Sequence, residues 1–368
     1  MNPRLLIQEL LYSGTKGESL LRRIVLFPIY LLSLLYKLVM RARRMLYRTG
    51  MCASRDLPCR VVSVGNITVG GTGKTPTVIY LAQLFRKRGL KAAVLSRGYR
   101  SHSQESVAVV SDGKHMLLTA REAGDEPAML AKALPGTPVI IGRDRVRSGL
   151  LAVSLYSPDV ILLDDGFQHL RLKRDADIVL VDRHYGFGNG CLIPRGILRE
   201  PLSALQAADL IILTKQSAES RQQPAEQLIA AQRPHASIFS ARYAIRGLST
   251  LDGSPAGDIK GFAGKNALAL AGIGNPGYFT HLLRTHGIRI AEEMILPDHH
   301  RYTARDAERL AAFLPRVDCI ITTAKDGCKM DGAGFNHLPI LVLDIMLEMD
   351  DEPAFVDALF QHISRRDH

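Results

Sequence analysis

The sequence predicts an α/β fold: a parallel sheet core, a second and smaller α/β domain, and an N-terminal membrane-associated helix. Three observations carry this expectation. Short, nearly continuous Val/Ile/Leu runs alternate with helical patterns, as in parallel sheets covered on both faces. One run leads directly into a glycine-rich turn and then a helix. Ahead of both lies a charge-free apolar segment bracketed by basic residues.

The 368 residues suffice for about two ordinary domains. The expected division is a membrane-associated helical segment over 1–50, a phosphate-loop core over 51–238 and a smaller C-terminal α/β domain over 239–368. Hydrophobic content of 46% with 23% charged residues excludes a disordered chain. The net charge of +11 points to an anionic partner: nucleic acid, a membrane surface or a phosphorylated substrate. Five cysteines (52, 59, 191, 319 and 328) include no C-x-x-C. That spacing argues against a zinc site or a disulfide framework and fits a reducing cytoplasm.

Residues 24–36, IVLFPIYLLSLLY, carry no charge. Arg22-Arg23 precede them, and Lys37, Arg41, Arg43, Arg44 and Arg48 follow. As a helix the run covers about 20 Å, short of the ~30 Å hydrocarbon core. Leu20, Leu21, Leu38, Val39 and Met40 could extend it to a span if the flanking Arg and Lys snorkel, but the preferred expectation is a helix lying in the interface, apolar face down, with its arginines on anionic headgroups. No small-residue cleavage site follows, so it does not read as a signal peptide.

The run Val61–Gly65 reads as a strand, and Val78, Ile79, Leu81, Ala82, Leu84 and Phe85 as one face of a helix. Between them stands Thr68-Val69-Gly70-Gly71-Thr72-Gly73-Lys74-Thr75. A turn of this kind aims backbone N–H groups inward, and the helix behind it adds its positive dipole end. Lys74 is expected to reach the β/γ-phosphates and the Thr75 hydroxyl to ligate Mg²⁺. The usual pattern has Gly at the place of Thr68. These features make the core P-loop NTPase-like.

AAVLS (92–96) is the next strand; Arg97 and Tyr99 project from its end. VAVV (107–110) follows, then Gly124-Asp125-Glu126-Pro127, where Asp125 fits a helix N-cap as well as a functional carboxylate. Arg143, Arg145 and Arg147 come after PVIIG (138–142). They suit either a solvated basic face or neutralisation of a phosphoryl group.

VILLDD (160–165) ends in Asp164 and Asp165, the second half of a phosphate-loop site in which a carboxylate helps hold Mg²⁺. Gln168 and His169 follow at the same sheet edge. DIVLVD (177–182) and LIILT (210–214) complete the first series, and polar 216–235 reads as an exposed helix. A second series begins near 240: SIFSARYAI, LALAGIG, CIITTAKD and ILVLDI. It contains Asp298-His299-His300, which suggests a carboxylate–imidazole pair.

The motifs GNITVGGTGKTP, SRGY, GDEP, LDDGFQH, LREP, PDHHRY and TTAKD occur in that order. In kind and order they resemble the lipid A 4′-kinases, or tetraacyldisaccharide 4′-kinases, of Gram-negative bacteria. Members of that family commonly lack the first loop glycine, so Thr68 is consistent with it. The resemblance implies ATP-dependent phosphorylation of the 4′-hydroxyl of an acylated glucosamine disaccharide 1-phosphate lipid. The expected place is the cytoplasmic face of the inner membrane, with no obligate protein partner.

By motif, the resemblance gives Lys74 and Thr75 to the ATP phosphates and Mg²⁺, within a nucleotide loop of Thr68, Val69, Gly70, Gly71, Thr72 and Gly73. Asp164 and Asp165 would help place the metal. Asp125 would be the base for the 4′-hydroxyl proton, assisted by His299. Arg145 and Gln168 match active-site positions, and Tyr99, Arg199 and Glu200 match substrate positions. Because Asp125 and His299 fall in different expected domains, domain closure is expected to assemble the pair.

Two other readings are weaker. Thr323-Ala324-Lys325-Asp326 loosely resembles a guanine-reading Asn-Lys-x-Asp pattern, but Thr replaces Asn and the motif lies far downstream. A nucleic-acid binder would suit the charge, yet no nucleic-acid motif is present and the basic residues cluster beside the apolar segment and sheet-edge loops.

Overall fold

The computed structural model describes residues 20–98, 106–214, 225–330 and 334–364, with side chains from residue 24 onward. Its first elements are α1 (Leu20–Arg48), β1 (Arg60–Gly65), α2 (Lys74–Lys87), β2 (Ala92–Ser96), β3 (Val107–Ser111), α3 (Ala120–Ala123), α4 (Asp125–Ala133) and β4 (Val139–Gly142). Next come α5 (Arg145–Tyr156), β5 (Val160–Asp164), β6 (Ala176–Asp182), β7 (Leu210–Thr214), α6 (Ala225–Gln232), β8 (Ser237–Ser249) and β9 (Pro255–Gly257). The last are β10 (Asn266–Ala271), α7 (Pro276–Thr285), β11 (Arg289–Ile295), α8 (Ala304–Ala311), β12 (Cys319–Thr323), α9 (Ala324–Gly327), β13 (Ile340–Met349) and α10 (Glu352–Ser364).

Two compact units result. The first comprises Met1–Leu95, Asp144–Arg242 and Glu348–His368; the second comprises Ser96–Arg143 and Tyr243–Leu347. This differs from the expected division at 238/239, because packing does not follow chain order. Residues after β2 join the later half, where α4 packs on α9. Conversely, α10 buries Phe355, Val356, Leu359 and Ile363 and packs on β1 and β6 of the first unit.

In the first unit the strand order is β8-β7-β6-β1-β5-β2, with every pairing parallel. Near-continuous apolar runs produce this because β1, β5, β6 and β7 are buried on both faces. Val64 pairs with Asp164 on one side and Ile178 on the other, so the loops after β1 and β5 leave the same carboxyl edge. Gly65 is required at the end of β1. A Cβ there would lie 2.5 Å from Phe167 Cβ.

The polar stretch expected to be an exposed helix over 216–235 contains α6, which buries Ala225 and Ile229 against the sheet cluster of Val179, Val181, Ile211 and Leu213. Residues 215–224 lie outside the described residues.

Helix α1 is 29 residues long, about 44 Å at ~1.5 Å per residue, and extends the charge-free run at both ends. By length and composition Ile24–Arg48 is long and apolar enough to cross a membrane. Ser33, Tyr36, Met40, Arg43 and Arg44 recur at three- and four-residue steps and form its anchored stripe. Leu31, Leu32, Leu35, Leu38 and Val39 stay exposed.

In the second unit a parallel sheet runs β11-β10-β12-β13, with β3–β4 and β8–β9 as antiparallel pairs. Alternate residues of β10 feed two cores: Leu268 and Leu270 pack with Tyr302, Leu310 and Phe335, whereas Ala267, Ala269 and Ala271 pack with Phe279, Leu283 and Ile288.

Candidate active site

The loop between β1 and α2 is held from two sides. Val69 N–H donates to Ile197 O and Arg199 N–H to Ile67 O, both at 2.7 Å, and Thr68 forms an antiparallel bridge with Leu198. Thr214 Oγ1, at the end of β7, donates to Thr72 O at 3.0 Å. Gly73 precedes α2 with φ 92°, a left-handed conformation that suits glycine, and no side chain caps the helix. The N–H groups of Lys74 and Thr75 are thus left for an anion, Pro76 having none.

One cluster gathers beside this loop. Lys74 Nζ lies 3.5 Å from Asn66 Oδ1 and 3.6 Å from Asp165 Oδ1. Arg199 Nη1 is 3.0 Å from Asp165 Oδ1, and Nη2 is 3.3 Å from Oδ2. Gln168 Nε2 donates to Asn66 O at 2.8 Å. Burial pushes the Asp165 carboxyl upward, but Lys74, Arg199 and Arg145 outweigh it and hold the group below its ordinary value. Arg145 is only 2% exposed, and its Nη2 donates to Asp164 O at 3.4 Å. Arg143 is exposed.

The donors available to Mg²⁺ are hard oxygens, the Thr75 hydroxyl and the carboxylates of Asp164 and Asp165, which fit the ion chemically. Among the described residues no three His, Cys, Asp or Glu side chains form a metal cage. Mg²⁺ would therefore rely on nucleotide oxygens and water for its remaining ligands.

Helix α1 is tied to the same loops. Tyr36 Oη donates to Arg199 O at 3.1 Å, Arg43 Nη2 to Gln168 O at 2.8 Å, and Ser33 Oγ accepts from Arg195 N at 3.0 Å. Arg44 pairs with Glu200, whose side chain is 0% exposed, and lies over the Phe167 ring. The expected substrate residues Arg199 and Glu200 are thus engaged with Asp165 and Arg44, and Tyr99 lies outside the described residues.

A second cluster stands in the second unit. Asp125 is the first residue of α4, not its cap, which is Gly124. Its Oδ2 lies 3.0 Å from His299 Nδ1. A carboxylate only accepts, so Nδ1 carries the proton in this pair. Both residues belong to one compact unit, so the pair forms without the expected domain closure. His300 turns instead to Asp306, at 3.2 Å. Lys325 Nζ lies 3.0 Å from Asp298 Oδ1 and 3.5 Å from His299 Nε2.

Three non-glycine residues among those described have positive φ: Ser157, Asp165 and His299. Two belong to these clusters, where surrounding contacts hold a costly backbone conformation.

The sequence reading gave no role to Asn66 or Lys329, and it met Lys325 and Asp326 only in the TTAKD motif and its loose guanine-reading pattern. Asp326 is fully buried and accepts from Gly272 N at 2.9 Å and Thr323 Oγ1 at 2.8 Å, so its carboxylate serves the second unit's interior rather than a guanine base. Spacing carried no signal for Lys329, which lies just past the four-residue helix α9.

A family model described as tetraacyldisaccharide-1-P 4′-kinase matches residues 25–364. A tetraacyldisaccharide 4′-kinase of Pelobacter propionicus is 41% identical over 355 residues, covering 95% of this chain and 95% of its own. One of Geobacter sulfurreducens is 40% identical over 332 residues, covering 89% of this chain and 91% of its own. Among solved structures, the "apo" form of LpxK from Aquifex aeolicus in complex with ATP is 32% identical. It has a TM-score of 0.77 and covers 93% of this chain and 99% of its own.

Proposed function

Because the chain belongs to the tetraacyldisaccharide-1-P 4′-kinase family and is a lipid kinase, we propose that it transfers the γ-phosphoryl group of ATP to the 4′-hydroxyl of tetraacyldisaccharide 1-phosphate, with Asp125 as base assisted by His299. The observation that carries the finer reading is the 3.0 Å contact between Asp125 Oδ2 and His299 Nδ1.

Phosphoryl transfer asks little covalent chemistry of a protein; positioning and cations do most of the work. Lys74 takes the β/γ-phosphates, which draws its ammonium from Asp165, while Arg145 and Gln168 line the loop. Thr75 and Asp165, with Asp164 behind them, would hold Mg²⁺, which would neutralise charge on the phosphate oxygens. The 4′-oxygen bonds to phosphorus as the bond to the β-phosphate oxygen breaks. The hydroxyl proton passes to Asp125, and ADP leaves with the electron pair. His299 orients the carboxylate and spreads the charge change.

Helix α1 supplies the reason a soluble body meets an acylated substrate. Its exposed Leu and Val side chains and flanking arginines suit the interface of an anionic bilayer. The reading places the enzyme at the cytoplasmic face of the inner membrane, acting on lipid and not on nucleic acid.

The test is transfer of ³²P from γ-labelled ATP to tetraacyldisaccharide 1-phosphate in detergent micelles. Labelled lipid from the wild type, with large losses in Lys74→Ala and Asp125→Ala, is expected. No labelled lipid despite ATP binding would refute the substrate assignment, and full activity of Asp125→Ala would refute the base.

A further inference from the structure

Lys329 follows α9 and is an unexpected neighbour for Asp125. Its side chain is 6% exposed. Nζ lies 2.8 Å from Asp326 Oδ1 and 3.8 Å from Asp125 Oδ2. The contact with Asp326 is a close ion pair whose angles fall outside hydrogen-bond geometry, so neither atom has an aligned hydrogen bond among the described residues. Burying an ammonium in this way carries a desolvation cost that an ion pair seldom offsets in full. Replacing both partners together by apolar side chains of similar size would cost little or nothing in stability, so stability alone does not explain why the pair is present.

The surroundings give the cation a defined place. Asp326 Oδ2 is fixed by Gly272 N–H, just past β10, and by Thr323 Oγ1 at the end of β12. On another side the Tyr302 ring centroid is 5.3 Å from Nζ. The ammonium is thereby pinned to the carboxyl edge of the second unit's sheet. His299 Nδ1 and Lys329 Nζ approach the same Asp125 oxygen, Oδ2. Two contacts on one oxygen limit rotation of the carboxylate about its χ2 bond. The lysines divide the pair between them, Lys325 beside His299 and Lys329 beside Asp125.

We propose that Lys329, anchored by Asp326, is the positioning residue that sets the orientation of the Asp125 carboxylate for proton acceptance. The inference rests on Asp125 being the base. A misdirected carboxylate leaves substrates bound but slows the transfer, so the effect falls on turnover rather than binding.

The experiment compares Lys329→Met, Lys329→Arg and the double variant Lys329→Met/Asp326→Asn in the micelle assay. The double variant removes the ion pair as a neutral unit, so no lone carboxylate is left buried. Thermal melting checks that each variant folds. The double variant is expected to lose roughly 10- to 100-fold in kcat, with KM for ATP and lipid nearly unchanged. Lys329→Arg is expected to recover most of that loss relative to Lys329→Met. In an Asp125→Asn background, where no basic carboxylate remains to be positioned, the same changes are expected to cost little more. An equal fold-loss in both backgrounds, an effect on KM alone, or wild-type kcat in a folded double variant would overturn the proposal. Wild-type turnover of Asp125→Asn itself would instead overturn the base assignment beneath it.

Discussion

Arg199 grips Asp165 as a two-pronged fork, Nη1 to Oδ1 at 3.0 Å and Nη2 to Oδ2 at 3.3 Å. Such a fork fixes the plane of the carboxylate as well as its position. Lys74 meets the same group at 3.6 Å, so two cations secure a residue whose own φ of 57° is unfavourable. The arrangement leaves Lys74 the more weakly held of the two, as its proposed role at the nucleotide phosphates requires.

Asp165 should make stability depend on pH in acid. Its carboxyl is held below the ordinary 3.8 in the folded chain. The stabilisation is therefore present above that ordinary value and is lost as pH falls through the lower folded value. Asp165→Asn should flatten this part of the curve. Urea midpoints of nucleotide-free protein between pH 3 and 6 test it, and identical slopes for wild type and variant would refute the claim.

His299 should be needed for turnover and not for nucleotide binding. His299→Asn removes the imidazole yet retains a residue tolerant of the left-handed backbone at φ 63°. A fall of about 100-fold in kcat with ATP affinity unchanged is expected. Equilibrium ATP titration beside steady-state rates separates the two, and loss of ATP affinity alone would contradict the role.

Arg44 should matter far more than a surface arginine. Its partner Glu200 is fully buried, so Arg44→Ala leaves a carboxylate uncompensated and should cost about 3–5 kcal/mol. Arg44→Ala/Glu200→Gln should recover much of that. Chemical denaturation measures both; a cost below about 1 kcal/mol would mean the pair behaves like an exposed one.

Gly65→Ala should disturb β5's loop without touching a ligand. The new methyl would sit 2.5 Å from Phe167 Cβ and 2.8 Å from Phe167 N. Moving that backbone should destabilise by about 1–3 kcal/mol. Asp165 and Gln168 lie on the displaced loop, so kinase activity should fall along with the melting temperature. Normal stability and activity would show that the loop yields freely.

The parts of this chain legible from sequence are those whose partners are near in sequence or follow from strand order. The GKT turn needs only eight consecutive residues, and the Val61–Gly65 and Val160–Asp164 runs identify neighbouring buried strands whose ends carry the loop and the carboxylates. Long-range choices were not legible. Nothing local in EPAFVDALFQHIS says that it covers β1 and β6, because an amphipathic helix records its apolar face and not its destination. Lys329 was hidden for the opposite reason, since a lysine reads as surface unless its burial is seen. Arg44 and Glu200 pair across 156 residues, a separation at which spacing says nothing.

The return of α10 to the first unit bears on how the chain is made. The glycine-rich loop at 66–75 is translated early, yet its supporting strand β1 is packed by a helix of residues 352–364, and Arg60 Nε donates to Ile363 O at 3.1 Å. A ribosome adding roughly 5–20 residues per second leaves that strand uncovered for tens of seconds. During this interval the nascent chain holds the glycine-rich loop on an unfinished sheet. A transcript truncated before codon 352 should therefore encode a product destined for proteolysis, not a weakened kinase.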